Sequence, residues 1–271
     1  MGGTILDRIV ETKRAEVEKA RRARPLDAVQ RAANEQPAPR DFYQAVAGSP
    51  RLSKADRLRL IAEIKKSSPS AGLIRANFDP VAIARIYEQA GAAALSVLTD
   101  RTYFSGELGF LDRVKEATGL PVLRKDFLVD AYQVFESRAA GADAILLIAE
   151  ILPIEQIDRM SSIAGELEMT TLIELHAPDR LNDLLPLISP QRKTILGINN
   201  RDLHAQRTDL KTTRDLAARL PSETRFVAES GMMSAADVTA MRQAGACAVL
   251  IGETFMRAAD IGAKVRELMG A

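Results

Sequence analysis

Beyond about residue 60 the chain alternates short apolar runs with longer amphipathic stretches. The runs are Leu60–Ile64, Ala94–Leu98, Pro121–Leu123, Ala144–Ile148, Thr171–Leu175, Thr194–Ile198, Arg225–Ala228 and Ala248–Ile251. Most carry Val, Ile or Leu at consecutive positions, the pattern of parallel strands covered on both faces. The stretches between them repeat apolar residues at helical spacing, as in Val81, Ile83, Ala84, Ile86 and Tyr87. Proline or a capping side chain marks helix starts at Asp79-Pro80, Pro153, Pro178-Asp179 and Ser234. Glycine marks helix ends in Ala90-Gly91-Ala92, Ala140-Gly141-Ala142 and Ala244-Gly245-Ala246. Eight strand–helix units in succession predict an α/β fold, a (β/α)8 barrel. A doubly wound sheet would carry Gly-x-Gly-x-x-Gly after its first strand, and none is present.

The first fifty or so residues follow a different pattern. Thr4 to Ala23 sets Ile5, Leu6, Ile9, Val10 and Val17 among many charges, which predicts an amphipathic helix outside the barrel. A second short helix is expected after Pro25, before Pro37-Ala38-Pro39 interrupts the pattern. No break in composition is strong enough to mark a separate domain. Residues 1–271 are therefore expected to form one barrel domain, with residues 1–50 a helical extension covering the barrel mouth.

Composition narrows the function. The 271 residues carry 37 basic and 36 acidic side chains, so no bulk field draws nucleic acid or an anionic membrane, and any anion site must be local. One cysteine, Cys247, excludes an internal disulfide and a thiolate cluster. It is expected to be a small buried core residue. With only His176 and His204 a histidine-rich metal site is not expected, and no metal or cofactor is assigned. No apolar run reaches the roughly 20 residues of a membrane span. Charges from Asp7 onward interrupt any signal-peptide core, and Leu6 occupies the Ser/Thr position of a myristoylation motif. A cytoplasmic protein is expected, either a monomer or a weak homo-oligomer.

In a barrel the chemistry sits at the C-terminal ends of the strands. Glu63 and Lys65 end the first strand on the face opposite Ile64, and both should point to the mouth. By the same parity Lys125 and Phe127 share a face after the third strand. Glu174 ends the fifth, Asn199 and Arg201 follow the sixth, and Glu229 ends the seventh. A single strand-end charge is an ordinary salt-bridged residue. Five such strand ends aimed at one mouth form an arrangement suited to acid–base work, because proximity and burial tune the pKa values. Ser230-Gly231 after the seventh strand and Gly252-Glu253 after the eighth are where this fold commonly binds phosphate, through backbone amides that glycine leaves accessible. Ser68 could add a hydroxyl. A small phosphorylated substrate is implied. The residues alone leave the reaction open: acid–base chemistry on such a substrate, as in a phosphosugar isomerase or a Schiff-base aldolase using Lys125, or a barrel that binds such a ligand without turning it over.

Several segments together resemble the indole-3-glycerol phosphate synthase family of tryptophan biosynthesis. They are Ile61-Ala62-Glu63-Ile64-Lys65-Lys66-Ser67-Ser68-Pro69-Ser70, Ser96-Val97-Leu98-Thr99-Asp100 with Tyr103-Phe104, and Leu123-Arg124-Lys125-Asp126-Phe127. Ile173-Glu174, Gly197-Ile198-Asn199-Asn200-Arg201-Asp202-Leu203, Ala228-Glu229-Ser230-Gly231 and Leu250-Ile251-Gly252-Glu253 complete the set. The resemblance spans nearly the whole chain, including the extra N-terminal helix. Gly106-Glu107 departs from the Gly-Ser that often follows the aromatic pair. The resemblance implies ring closure of 1-(2-carboxyphenylamino)-1-deoxyribulose 5-phosphate with loss of carbon dioxide and water, with no redox cofactor. It further implies Lys125 as general acid, Glu174 as general base, Lys65 against the departing carboxylate and Glu63 orienting the lysines or the substrate. Asn199 and Arg201 would bind the polar edge of the substrate. Phe104, Phe127 and Leu146 would seat its aromatic ring.

Overall fold

In the computed structural model, residues 4–48, 58–202 and 207–270 are described; His204 and the ends of the N-terminal extension lie outside them. Eight parallel strands close into a barrel, each hydrogen-bonded to its sequence neighbours and the last to the first. They are β1 (Arg59–Ile64), β2 (Ala94–Leu98), β3 (Val122–Lys125), β4 (Ala144–Ile148), β5 (Thr170–Leu175), β6 (Thr194–Asn199), β7 (Phe226–Glu229) and β8 (Ala248–Ile251). The strands β3, β6 and β7 run one or two residues beyond their apolar runs, through Lys125, Asn199 and Glu229. The ladder continues there because polar side chains at these positions turn into the barrel mouth, so the end of the apolar run was not the end of the strand. Arg124, which faces outward from β3, is buried by its bonds to Glu136 and Ser137 on the following helix.

Inward-facing side chains form layers of four, taken from alternate strands. The lowest is Ala94, Ala144, Ile195 and Ala248 from the even strands, followed by Ile61, Leu123, Leu172 and Val227 from the odd ones. Each of the latter pairs in register with an upper residue on one neighbouring strand and a lower one on the other, as Ile61 does with Leu250 and Ala94. Ser96, Leu146, Gly197 and Leu250 come next, and the following odd layer is Glu63, Lys125, Glu174 and Glu229. The side chains change character at that level. Below it the layers hold aliphatic residues, a serine and a glycine; at it all four are charged types.

Outward-facing residues such as Leu60, Ala62, Ile64 and Val97 pack under the surrounding helices in a second, larger core. Helix ends match the sequence reading, with Gly91, Gly141 and Gly245 in the left-handed region at φ 84°, 84° and 95°. Ser234 caps its helix reciprocally with Asp237.

The N-terminal segment forms α1 (Ile5–Ala23), α2 (Leu26–Glu35) and α3 (Phe42–Ala47). Thr4 caps α1 through a capping box with Asp7. The segment does not stay at one end of the barrel, as the expectation for residues 1–50 had it. Leu6 and Ile9 of α1 pack with Phe127, Leu146 and Ile148 near the mouth, whereas α3 inserts Phe42, Val46 and Ala47 into the opposite opening. Arg40 fixes that second position: its backbone donates to Asp143 (2.7 Å), and its guanidinium donates to the carbonyls of Leu120 and Lys115. These partners lie at the starts of β3 and β4 or in the helix before them. Cys247 also lies at this end. It is only partly buried, not a full core residue, because it precedes β8 at the rim.

Candidate active site

The charged layer forms the floor of a cavity at the mouth. Lys125 Nζ lies 2.7 Å from Glu174 Oε2 and 3.5 Å from Glu229 Oε2, and Lys65 Nζ lies 2.6 Å from Glu63 Oε1. Asn199 Nδ2 donates to the second Glu174 oxygen at 3.0 Å, and Asn199 Oδ1 accepts from the Arg201 amide at 3.0 Å. Arg201 in turn donates to Ser70 Oγ at 2.9 Å and lies 3.6 Å from Glu253 Oε2. Phe104 and Phe127 stand 5.9 Å apart, centroid to centroid, on the apolar side. Every candidate site residue named from the sequence lines this one cavity, including Ser68, Ser230, Gly231, Gly252 and Glu253. Ile5, Leu6 and Ile9 of α1 line it too.

The electrostatics follow from three carboxylates crowding a buried ammonium. Burial alone would lower the Lys125 pKa, but Glu174, Glu229 and Glu63 outweigh it and hold the ammonium above its ordinary value. Burial pushes Glu174 up, yet Lys125 and the Asn199 amide hold it below the usual carboxylate range. Glu229 goes the other way. Its burial and the nearby Glu174 charge raise it well above the ordinary value. Two ammoniums, Lys125 and the Lys65 paired with Glu63, face three carboxylates, and Glu229 is the member that takes up a proton as the pH falls.

Two glycines make room for these groups. A Cβ at Gly197 would collide with Glu229 Oε1, and one at Gly252 with Glu63 Oε1. Gly252 was read as an opening for phosphate, but it also leaves space for a carboxylate. Gly231 differs: it has φ +88°, and an added Cβ would lie 2.7 Å from Thr208 Cγ2. The Glu253 carboxylate is engaged by Arg257 Nε at 2.9 Å, and burial is outweighed by Arg257, Lys65 and Arg201, which hold it below its usual range.

Sequence reasoning missed a second buried cluster at the cavity edge. Lys13 of α1, 4% exposed, makes ion pairs with Asp100 (2.8 Å), Asp126 (3.0 Å) and Glu16 (2.8 Å). Its only sequence signal was the acidic residue that follows β2 and β3 in turn.

The cavity can therefore hold an aromatic ring against Phe104 and Phe127 while a lysine, flanked by carboxylates, faces the polar part of a ligand. No helix among the described residues is long and apolar enough to cross a membrane. Among solved structures, 3-hexulose-6-phosphate synthase from Salmonella typhimurium matches with TM-score 0.63 at 15% identity, covering 79% of this chain and 97% of that one. A mutant tryptophan synthase α-subunit from Pyrococcus furiosus matches with TM-score 0.60 at 17% identity, covering 79% and 98%. Both likenesses concern the barrel fold. Sequence relatives are nearer. The indole-3-glycerol phosphate synthase of Dechloromonas aromatica (strain RCB) is 48% identical over 97% of this chain and 98% of its own. That of Azoarcus sp. (strain BH72) is 49% identical over 98% and 99%. The sequence pattern of indole-3-glycerol phosphate synthase matches residues 6–268. The chain belongs to the indole-3-glycerol phosphate synthase family, the carbon–carbon lyases that close the indole ring in tryptophan biosynthesis.

Proposed function

We propose that Lys125 is the general acid of this ring closure and that the residues around it divide the remaining steps. The ring carbon that bears the carboxylate attacks the ketone carbon, and the C=O electron pair moves onto oxygen. Lys125 gives that oxygen a proton. An ammonium with a raised pKa still suits the task, because an alkoxide is the stronger base and the transfer runs downhill. Carbon dioxide then leaves, and the electrons of its C–C bond restore the aromatic ring. Lys65 holds the carboxylate before it departs. The hydroxyl is finally lost as water, protonated by Lys65, while Glu174 takes the proton from the adjacent carbon, with Glu63 orienting Lys65. Asn199 and Arg201 bind the polar edge of the substrate, and Phe104, Phe127 and Leu146 seat its ring.

The backbone amides of Ser230-Gly231 and Gly252-Glu253, with the Ser68 hydroxyl, hold the 5′-phosphate. The Glu253 side chain is turned to Arg257, so its charge is drawn off the anion. The N-terminal turns of α1 cover the mouth, and the protein acts in the cytoplasm as one barrel domain, without a nucleic-acid partner and as a monomer or weak homo-oligomer.

This reading is carried by the placement of Lys125, an ammonium set among three buried carboxylates and facing the cavity. Its test is Lys125→Ala, followed by the indole fluorescence of the product; the absence of Trp keeps the protein background low. A loss of about 10²–10⁴ in kcat is expected, with a phosphate-bearing product analogue still bound. Lys125→Arg should stay poor, since guanidinium holds its proton too tightly. Near-normal turnover of Lys125→Ala would remove the role, and borohydride trapping at Lys125 would replace it with Schiff-base chemistry.

A further inference from the structure

The geometry points to Lys13, on the N-terminal helix, as a positioning residue that holds the two aromatic walls of the substrate seat in place through Asp100 and Asp126. The inference rests on the reading of Phe104 and Phe127 as that seat. Each aspartate grips one wall by its backbone. Asp100 Oδ1 accepts from the amides of Tyr103 (2.6 Å) and Phe104 (3.2 Å), capping the short helix that carries them. Asp126 Oδ1 accepts from the Phe127 amide at 2.8 Å. Lys13 Nζ stands between them, 2.8 Å from Asp100 Oδ2 and 3.0 Å from Asp126 Oδ1.

The two aspartates depend on Lys13 unequally. Asp126 also has Arg124 at 3.1 Å and the Thr99 hydroxyl at 2.6 Å, so it keeps a counter-charge if Lys13 is lost. Asp100 is fully buried, and Lys13 is its only ion-pair partner among the described residues. Removing Lys13 leaves a buried carboxylate uncompensated, which strongly favours any rearrangement that brings it water. The Phe104 turn moves with it, since Asp100 is its cap. Further ties run between α1 and the same turn: Thr12 Oγ1 to the Tyr103 hydroxyl (3.0 Å), and that hydroxyl to the Arg8 carbonyl (3.3 Å). The helix that lines the cavity and the wall it faces are thus held by one buried charge cluster. Lys13 touches no part of the proposed substrate position, so its effect is on binding geometry and not on proton transfer.

The test measures KM and kcat separately for Lys13→Met, Phe104→Ala, the double variant Lys13→Met/Phe104→Ala, and Lys13→Met/Asp100→Asn. Lys13→Met is expected to raise KM by about ten- to hundredfold, as befits loss of one partner from a buried ion pair, with kcat changed far less. In the Phe104→Ala background that increase should largely vanish, because the wall it acts through is gone. The Asp100→Asn partner should recover much of the KM, since asparagine still caps the turn but carries no unpaired charge. It also supplies a folded variant if Lys13→Met alone does not fold. An unchanged KM in Lys13→Met overturns the inference, as does an equal increase in the presence and absence of Phe104. A Phe104→Ala enzyme with normal KM contradicts the aromatic seat itself, whatever Lys13→Met does, and removes the inference with it.

Discussion

The two ends of the barrel use the same eight strands and the same alternation to opposite purposes. At the closed end Ala94, Ala144, Ile195 and Ala248 leave a small apolar opening, and Phe42 and Val46 of α3, both fully buried, plug it. Two layers higher than Ile61, Leu123, Leu172 and Val227, the same odd strands present Glu63, Lys125, Glu174 and Glu229. The closed end is filled by apolar packing, with the Arg40 hydrogen bonds at its rim. The mouth holds charges at close quarters in a buried layer, where desolvation opposes folding unless each charge is matched. Three carboxylates to two ammoniums, Lys125 and Lys65, is an incomplete match, and Glu229 absorbs the mismatch as a raised carboxyl. Stability is therefore expected to reside at one end and chemistry at the other.

The largest effect on stability belongs to the closed end. Phe42→Ala removes a fully buried ring and should cost about 3–5 kcal/mol in urea unfolding while leaving kcat and KM nearly unchanged in the fraction that folds. A strong loss of kcat with unaltered unfolding would erase the distinction between the ends. A deletion of residues 1–45 would remove Phe42 of this plug together with α1, so it cannot report on the mouth alone.

Acid titration probes the junction between α1 and the barrel. Burial pushes Asp126 up, but Arg124, Lys13 and the Thr99 hydroxyl hold its carboxyl down at about 2, against 3.8 for the unperturbed group. A depressed carboxyl contributes stability that is complete above its unfolded pKa and fades as the pH falls through the folded one. Asp126 should thus add about 2 kcal/mol above pH 4 and lose it toward pH 2, a slope that Asp126→Asn removes. Equal acid slopes for parent and variant would show that the cluster is not paired as described.

The smallest effect is at the rim of the closed end. The Cys247 thiol donates to the Phe226 carbonyl at 3.1 Å, and burial pushes it up to about 11, so little thiolate exists near neutrality. Cys247→Ala should cost about 1 kcal/mol and keep full activity. Activity-destroying alkylation of native protein at Cys247 would place chemistry at the wrong end.

Most of the mouth was legible because two-residue alternation along a strand is a local rule. Once Ile64 is assigned outward, Glu63 and Lys65 must face in, and Lys125 and Phe127 follow in the same way. The eight strands were legible from their apolar runs, although polar inward residues hid the last positions of β3, β6 and β7. Three things depended on distant contacts. Lys13 sits in an amphipathic helix where a charge normally meets water, and only the fold brings Asp100 and Asp126 over it. The six residues of α3 are too few for a helical period to stand out, and nothing local says that they plug a barrel. Gly252 carries no mark of the Glu63 side chain that its missing Cβ accommodates.

The division of labour between the ends is tested most directly by replacing the central ion pair with apolar groups, Lys125→Met/Glu174→Leu, and measuring urea unfolding and indole formation on the same preparation. Packed apolar residues in place of a buried ion pair are often neutral or stabilising by about 1–4 kcal/mol. The account predicts a midpoint equal to or above that of the parent, with turnover reduced by at least about 10²-fold. A destabilised protein that still closes the indole ring at a near-parental rate would contradict it.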